Sequence, residues 1–413
     1  MEVKKNYKEV TGFDVVVCGG GPAGVAAAIS AGRKGVKTLL VEKGGCLGGL
    51  WTQGLLTWII GALEQHGLLQ EVMDRLEQEA DGCRVQSPKR FIADTEKTKL
   101  VFERMCREAG VTVLYHTVLS GAVVDDGEIT HILTESKSGS VAYRATTFVD
   151  ATGDGDLGAF AGAGYDLGNE EGLTQPMSLI CQLGGLNYED MKPFDSQRST
   201  GTKKAMLLEL EKLGITPSYR SPLLAVLRRD LYALMINHAH YSGTSAEEIT
   251  KATMEAREEL HRIVDGLRSL GGIWKDVHII STAPAIGVRE GRRIHGLYTI
   301  KQDDVYKGRR FQDGFCLVEG KTDIHSVRPG EAFDHPEKGD AHIPYQIPLR
   351  SLISRDVDNL IMAGRCISGD FVAHGSYRVG GPAFRTGEMA GRLAAYCALR
   401  HMYPQYLETI FVL

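Results

Sequence analysis

Val15-Val16-Val17-Cys18-Gly19-Gly20-Gly21-Pro22-Ala23-Gly24 is followed by a second apolar run, Thr38-Leu39-Leu40-Val41, which closes on Glu42. The order strand, glycine turn, helix, strand, acid is the apparatus that holds the ADP half of a dinucleotide. Gly19 serves the tight turn, Gly21 lets the backbone approach a pyrophosphate, and Gly24 lets helix and strand pack closely. The free amides at the helix N-terminus face the phosphate charge. Glu42 is placed to accept hydrogen bonds from ribose hydroxyls, Pro22 suits the first helical turn and Gly35 its end. An ordinary βαβ unit with a tight turn is the plain alternative.

The chain has 413 residues, more than one typical domain, so two intimately joined domains are expected. It carries 49 glycines, above the usual ~7%. They concentrate in turns such as 44–49, 153–164 and 380–381, where backbone approaches a ligand. A net charge of −5 argues against nucleic acid as an obligatory partner. No apolar stretch reaches membrane-spanning length, and no apolar core follows the N-terminal lysines as in a signal peptide. The eight cysteines form no CxxC pair and no zinc or iron–sulfur spacing. Reduced thiols in a cytoplasmic protein without a bound metal are the expectation, and a disulfide-reductase reading is set aside.

Apolar spacing of three and four predicts helices over 66–80 and 98–109. Strands are expected over 111–115, 118–125, 128–134 and 140–150, with Asp126-Gly127 as a hairpin turn. Thr147–Asp150 then runs into a second glycine turn, Ala151-Thr152-Gly153-Asp154. Residues 165–280 hold amphipathic helices near 202–213 and 246–269 but no dinucleotide motif. The tail returns to the opening pattern, with a buried strand at 359–364 and a long helix over 382–399. The expected fold is α/β, a Rossmann-like domain with a parallel central sheet and a smaller antiparallel sheet. Residues 1–164 and 281–413 form it, and an α+β substrate or cap domain, 165–280, is inserted between them.

Several segments together resemble the FAD-dependent oxidoreductases of the glutathione-reductase-like class. More narrowly, they resemble a bacterial FAD-dependent oxidoreductase family of largely unassigned substrate. The likeness rests on the opening glycine turn with Glu42, on Gly48-Gly49 with Thr52-Gln53-Gly54, and on Val149–Asp154. It continues through Ile286–Arg293, Asp323-Ile324-His325, Asp358-Asn359-Leu360, Gly364–Ser368 and His374-Gly375-Ser376 with Arg378. It implies FAD, held by Gly19, Gly21, Pro22, Ala23, Gly24, Glu42, Lys43, Gly48, Gly49, Val118, Ala151, Gly153 and Asp154, and by Gly364, Arg365, Asp370, Gly380 and Gly381. Many relatives place Asp directly after the glycine of the late strand. Here Arg365 stands there and Asp370 follows, so the ribityl ligand is open. No second GxGxxG follows a strand, so a dedicated NAD(P)H domain is not expected.

Flavin chemistry needs N5 beside the hydride donor and positive potential near N1 and O2. Amides of Gly380, Gly381 and Ala383 at the last helix are expected to supply that potential. His374 and His325 are the candidate bases, because imidazole titrates near neutrality. Arg289, Arg292 and Arg378 are candidate clamps for a carboxylate or the flavin, with a buried ion pair as the competing reading. Cys46 is expected to be a packed side chain, with a thioether to the flavin as the alternative. Of Asp150 and Asp154, one is expected on the cofactor and the other as a helix cap.

The function expected is hydride exchange between a small organic substrate and flavin N5, with an unidentified electron acceptor. The alternatives are a non-redox flavoprotein, isomerase- or hydratase-like, and a dinucleotide-binding regulatory protein. Partners are then a small molecule and an acceptor, without nucleic acid or membrane, and a homo-oligomer is compatible.

Overall fold

The computed structural model describes residues 6–61, 66–80, 90–196, 201–320, 322–331 and 343–407, with the backbone of 83–87. Its centre is a five-stranded parallel sheet. The spatial order is Leu360–Met362, Thr147–Asp150, Val15–Cys18, Thr38–Val41 and Thr112–Leu114. Each of the first four strands is buried along its whole length. That is why they read as apolar runs without alternation. All four end at one edge of the sheet, and a glycine-bearing turn follows each of three of them.

The helix Pro22–Gly32 is buried on nearly every side, and its small residues permit this. The helix Gly380–Arg400 crosses it. A Cβ at Gly387 would stand 2.0 Å from the Ala23 carbonyl oxygen, and one at Gly391 would stand 2.1 Å from that of Ala27. Only glycine lets the two backbones approach this closely. Trp51 stacks on Phe384 at 5.8 Å and on Phe102 at 6.1 Å. These contacts pin the 44–54 loop against the last helix and against helix Thr95–Glu108.

A second sheet joins Lys8–Val10, Gly139–Arg144, Glu128–Ser136 and Thr117–Asp125. Asp126 and Gly127 both take positive φ in its hairpin, as a type I′ turn requires. The run 140–150 is not one strand. It divides into Gly139–Arg144 in this sheet and Thr147–Asp150 in the parallel sheet. The break falls where the amides of Thr146 and Thr147 both donate to the Asp14 carbonyl. Asn359 ties the two sheets: its side chain accepts from Ile129 N at 2.9 Å and donates to Ile129 O and Thr146 O.

A third sheet, Leu223–Arg228, Leu231–Met235, Cys181–Gly184 and His278–Thr282, is antiparallel throughout. Helix Ala246–Ser269 packs on it, capped by Ser245 Oγ accepting from Glu248 N. The sheet and helix share an apolar core of their own, built around Tyr232, Trp274, Leu234 and Ile263.

Candidate functional site

The glycine turns that follow Val15–Cys18, Thr147–Asp150 and Leu360–Met362 lie side by side at the carboxyl edge of the parallel sheet. In doubly wound folds this edge is where ligands bind. Gly19 takes φ +98°, and a Cβ there would meet the Ala151 carbonyl oxygen at 2.5 Å. A Cβ at Gly24 would lie 1.8 Å from the Gly19 oxygen. Gly364 sits over Ala23, with 3.0 Å between its Cβ position and the Ala23 methyl. Gly48 N donates to Gly20 O, and a Cβ at Gly49 would come 2.9 Å from Gly21 Cα, so the 44–54 loop borders the same turn. Gly21 differs from its neighbours: a Cβ there would meet nothing within 4 Å. The turn is thus tight on the protein side and open on the outer side.

Glu42 is buried, its Oε2 accepting from Gly20 N and its Oε1 from Gly44 N, each at 2.6 Å. A carboxylate has about four lone-pair sites, so capacity for ribose hydroxyls remains. Lys43 is exposed beside it, and Val118 is 47% exposed, one residue past the Thr117 amide that donates to Glu42 O.

Of the pair in question, Asp150 accepts from Thr152 N and, in the first turn of helix Asp156–Phe160, from Gly158 N. Burial lifts its carboxyl to about 6. Asp154 pairs with Arg365 at 2.8 Å, and the Arg365 guanidinium lies over Gly153. Asp370 caps the helix Phe371–Tyr377 through Ala373 N, and its second oxygen accepts from Gln302 N. The expectation for the last helix needs correction. Gly381 N donates to Ile60 O and Ala383 N to Val379 O, so of the three amides only that of Gly380 stands at the free first turn.

Segments 175–178, 286–293, 322–325 and 371–378 meet beyond these turns. Arg378 Nη2 donates to the Asp323 carbonyl at 2.5 Å, to Asp323 Oδ2 at 3.0 Å and to Gln175 Oε1 at 3.3 Å. Asp323 N in turn donates to Gly375 O. Arg293 forms a buried pair with Glu290, and Arg292 bonds Asp156 and the Asp154 carbonyl. Arg289 donates through Nη1 to Pro176 O at 2.6 Å and Ser178 Oγ at 3.0 Å, and burial lowers it to about 10, with Arg378 adding repulsion.

His374 is wholly buried, and among the described residues neither ring nitrogen has a partner. Burial first, then Arg293, Arg378 and Arg365, push its pKa well below the ordinary imidazole value. No carboxylate orients it. His325 has such a partner, Asp323 Oδ1 at 3.4 Å. It also contacts His238, which sequence reasoning missed although His238-Ala239-His240 follows a strand and projects both rings to one side.

Five buried atoms lack partners among the described residues in this region or at its border: Gln175 Nε2, Arg365 Nε, Arg378 Nε and the two ring nitrogens of His374. Buried polar groups are rarely left unpaired, and unpaired ones call for a ligand. Donors of this number, next to an open pyrophosphate turn and a buried Glu42, fit FAD. A cavity of about 570 Å³ adjoins the 44–54 loop, lined by Cys46, Gln53, Lys99, Gln182 and Thr282. Cys46 Sγ lies 3.8 Å from Thr52 Oγ1, and burial pushes the thiol up from its usual value. Cys18, Cys106, Cys181, Cys366 and Cys397 are free thiols as well, and the side chain of Cys83 lies outside the described residues. Among the described residues no helix is long and apolar enough to cross a membrane.

Known proteins are similar to this chain in sequence or in fold. Over 150 residues the chain is 29% identical to thiamine thiazole synthase of Methanococcus aeolicus, covering 34% of this chain and 54% of that protein. It therefore spans about half the length of such curated relatives. Over 45 residues it is 51% identical to mitochondrial dihydrolipoyl dehydrogenase of Caenorhabditis elegans, 11% of this chain and 9% of that one. Its fold is similar to a geranylgeranyl bacteriochlorophyll reductase-like protein of Thermoplasma acidophilum, with TM-score 0.51, 12% identity and coverage of 95% and 80%. A flavin-dependent brominase matches with TM-score 0.51, 12% identity and coverage of 96% and 82%. The family model described as FAD dependent oxidoreductase matches residues 14–410, and the chain belongs to that family.

Proposed function

We propose that the protein exchanges a hydride between a small organic substrate and flavin N5 and passes the electrons to a separate acceptor. The observation that carries this reading is the convergence of unpartnered buried donors, Gln175 Nε2, Arg365 Nε and Arg378 Nε, beside His374. When bound, FAD supplies the two-electron chemistry. The chain's own groups do the rest. Glu42 and the Gly19–Gly24 turn hold the ADP half, with Gly21 leaving room for the pyrophosphate. Arg365, fixed by Asp154, and Arg378, fixed by Asp323, present guanidinium edges to the interior and favour negative charge there. The buried walls around His374 exclude water, which strengthens every such interaction.

The test is direct. Cofactor released from purified protein should be FAD, and anaerobic mixing with hydroxy acids, amines and sugars should bleach the flavin with one donor class. Conversion of a compound while flavin absorbance stays unchanged throughout would refute hydride exchange and favour a non-redox role.

A further inference from the structure

We propose that the substrate is an organic carboxylate seated on the Nε–Nη2 edge of Arg289, and that His238 Nδ1 is the atom that takes its proton. This rests on the hydride-exchange reading above and adds the substrate class and a residue outside it.

Four arginines stand in the interior of the site. Arg293 has Glu290, Arg365 has Asp154 and Arg378 has Asp323. Among the described residues Arg289 has no carboxylate within ion-pair distance, although it is only 9% exposed. A buried guanidinium without a counter-charge is costly, so the arrangement suits a bound anion. Its bonds define which anion. Nη1 is engaged by Pro176 O and Ser178 Oγ, and the single contact of Nη2 is Met235 Sδ at 3.8 Å. Among the described residues no oxygen accepts from Nε. The Nε–Nη2 edge therefore offers two parallel N–H donors in the fork that matches a carboxylate.

Ser178 Oγ, which accepts from Arg289 Nη1, donates to Asn237 O, and next to Asn237 begins a chain of polar groups. Asp323 Oδ1 lies 3.4 Å from His325 Nε2, and His325 Nδ1 lies 3.1 Å from His238 Nε2. Tyr219 stacks on the His238 ring at 4.0 Å and so fixes its plane. Asn237 fixes the backbone: its side chain pairs with both the amide and the carbonyl of Leu179, at 2.8 and 2.7 Å. Hydrogen bonding then determines the tautomers. A carboxylate only accepts, so His325 carries its proton on Nε2 and presents a lone pair at Nδ1. His238 must donate to that lone pair from Nε2, which leaves His238 Nδ1 bare.

The rings are strung end to end and, among the described residues, form no metal-ligating group. Burial above all, then Arg289, His325 and His240, hold charge off His238 while Asp323 favours it, so the ring rests neutral, and a carboxylate paired with Arg289 removes the first of those repulsions. When it does, a substrate O–H or N–H bond breaks, its electron pair stays on the substrate, and an N–H bond forms at Nδ1. The Nε2 proton shifts to His325 Nδ1, and the positive charge comes to rest against Asp323. A carboxylate that fixes the tautomer of an imidazole and stabilises the imidazolium that forms plays the same part in the Ser-His-Asp triad.

Holoenzyme titrated with formate, acetate and benzoate should bind at least one of them, read by calorimetry and by perturbation of the flavin spectrum. The matching amides should bind at least about tenfold more weakly, as loss of a charged hydrogen-bonded pair implies. Arg289→Gln should abolish the preference and Arg289→Lys should keep part of it. Nitrogen-15 spectra of histidine-labelled protein, assigned with His238→Asn, should show N–H at His238 Nε2 and a bare Nδ1. Equal affinity for carboxylates and amides in the wild type overturns the proposal, as does a proton on His238 Nδ1. So does an Arg289→Gln variant with altered flavin reduction potential and unchanged carboxylate affinity, which would make the flavin itself the anion. A yellow protein that ignores every carboxylate removes only the substrate assignment. A colourless one that binds them through Arg289 removes the flavin reading and keeps the anion seat.

Discussion

Replacing Gly21 by alanine separates cofactor binding from folding, because the two glycines three residues apart face opposite ways. Gly21 has φ −69° and ψ −178°, an extended conformation that alanine adopts freely, and a Cβ there meets nothing within 4 Å. The cofactor-free Gly21→Ala protein should be as stable as wild type, or firmer by about 0.4–1 kcal/mol from reduced freedom of the unfolded chain. The added methyl occupies the place left for a pyrophosphate. A ligand at a hundredfold its Kd stabilises by about 2.7 kcal/mol, and in a chain of 413 residues each kcal/mol raises Tm by about 1 °C. FAD should therefore raise the wild-type Tm by about 3 °C and leave that of Gly21→Ala where it was. Gly24→Ala is the counter-experiment. Its Cβ would stand 1.8 Å from the Gly19 oxygen, against an ordinary approach of about 3.3 Å, so the helix must retreat by roughly 1.5 Å. Overpacking on this scale costs about 1–3 kcal/mol or more, and the cofactor-free Tm itself should fall. Thermal melts followed by circular dichroism, with and without FAD, read both. A full FAD-induced rise in Gly21→Ala, or a fall in its cofactor-free Tm, would refute the reasoning.

Asn359→Leu should destabilise the fold by about 2–4 kcal/mol in urea titrations, because Ile129 N, Ile129 O and Thr146 O lose a buried partner; a cost under about 1 kcal/mol would contradict the bridging role. Asp150 titrates near 6 when folded and near 3.9 when unfolded. The unfolded chain releases this proton first, so between about pH 4 and 6 stability falls as pH rises, by about 3 kcal/mol for this group, and then levels. Asp150→Asn should lack that slope, and parallel urea profiles for the two proteins would exclude it. Denaturation should release all flavin from the chain, since the Cys46 thiol is raised by burial and stays protonated; a mass increment retained on the peptide containing Cys46 would show a thioether.

The opening turn was legible because Gly19 and Gly24 answer contacts that only glycine permits while Gly21 keeps the outer side open, and such requirements leave their mark in the sequence. The long helices over 246–269 and 382–399 were legible from their spacing. The antiparallel sheet of the cap was not. Cys181–Gly184 and Leu231–Met235 are buried almost throughout and so lack the alternation that marks a half-exposed strand. The division of 140–150 escaped for a related reason, since both of its halves are strand and only tertiary pairing separates them. Asp323 and His325 stood out as a local pair. His238 did not, because its partner lies 87 residues away and nothing local announces the meeting. His374 drew attention through its neighbours in sequence, yet of the three arginines whose charge acts on it, Arg293 and Arg365 come from other segments.

The close crossing of the first and last helices has a consequence for how the polypeptide is made. Residues 23–31 emerge early from the ribosome, but the glycines that cover them, Gly387 and Gly391, come some 360 residues later. At about 5–20 residues per second, the nascent segment waits roughly 20–70 s with an apolar surface bare. A cell that makes this protein must shelter that surface for the interval, and an expressed fragment ending before residue 380 would carry it permanently, as a substrate for chaperones and a seed for inclusion bodies.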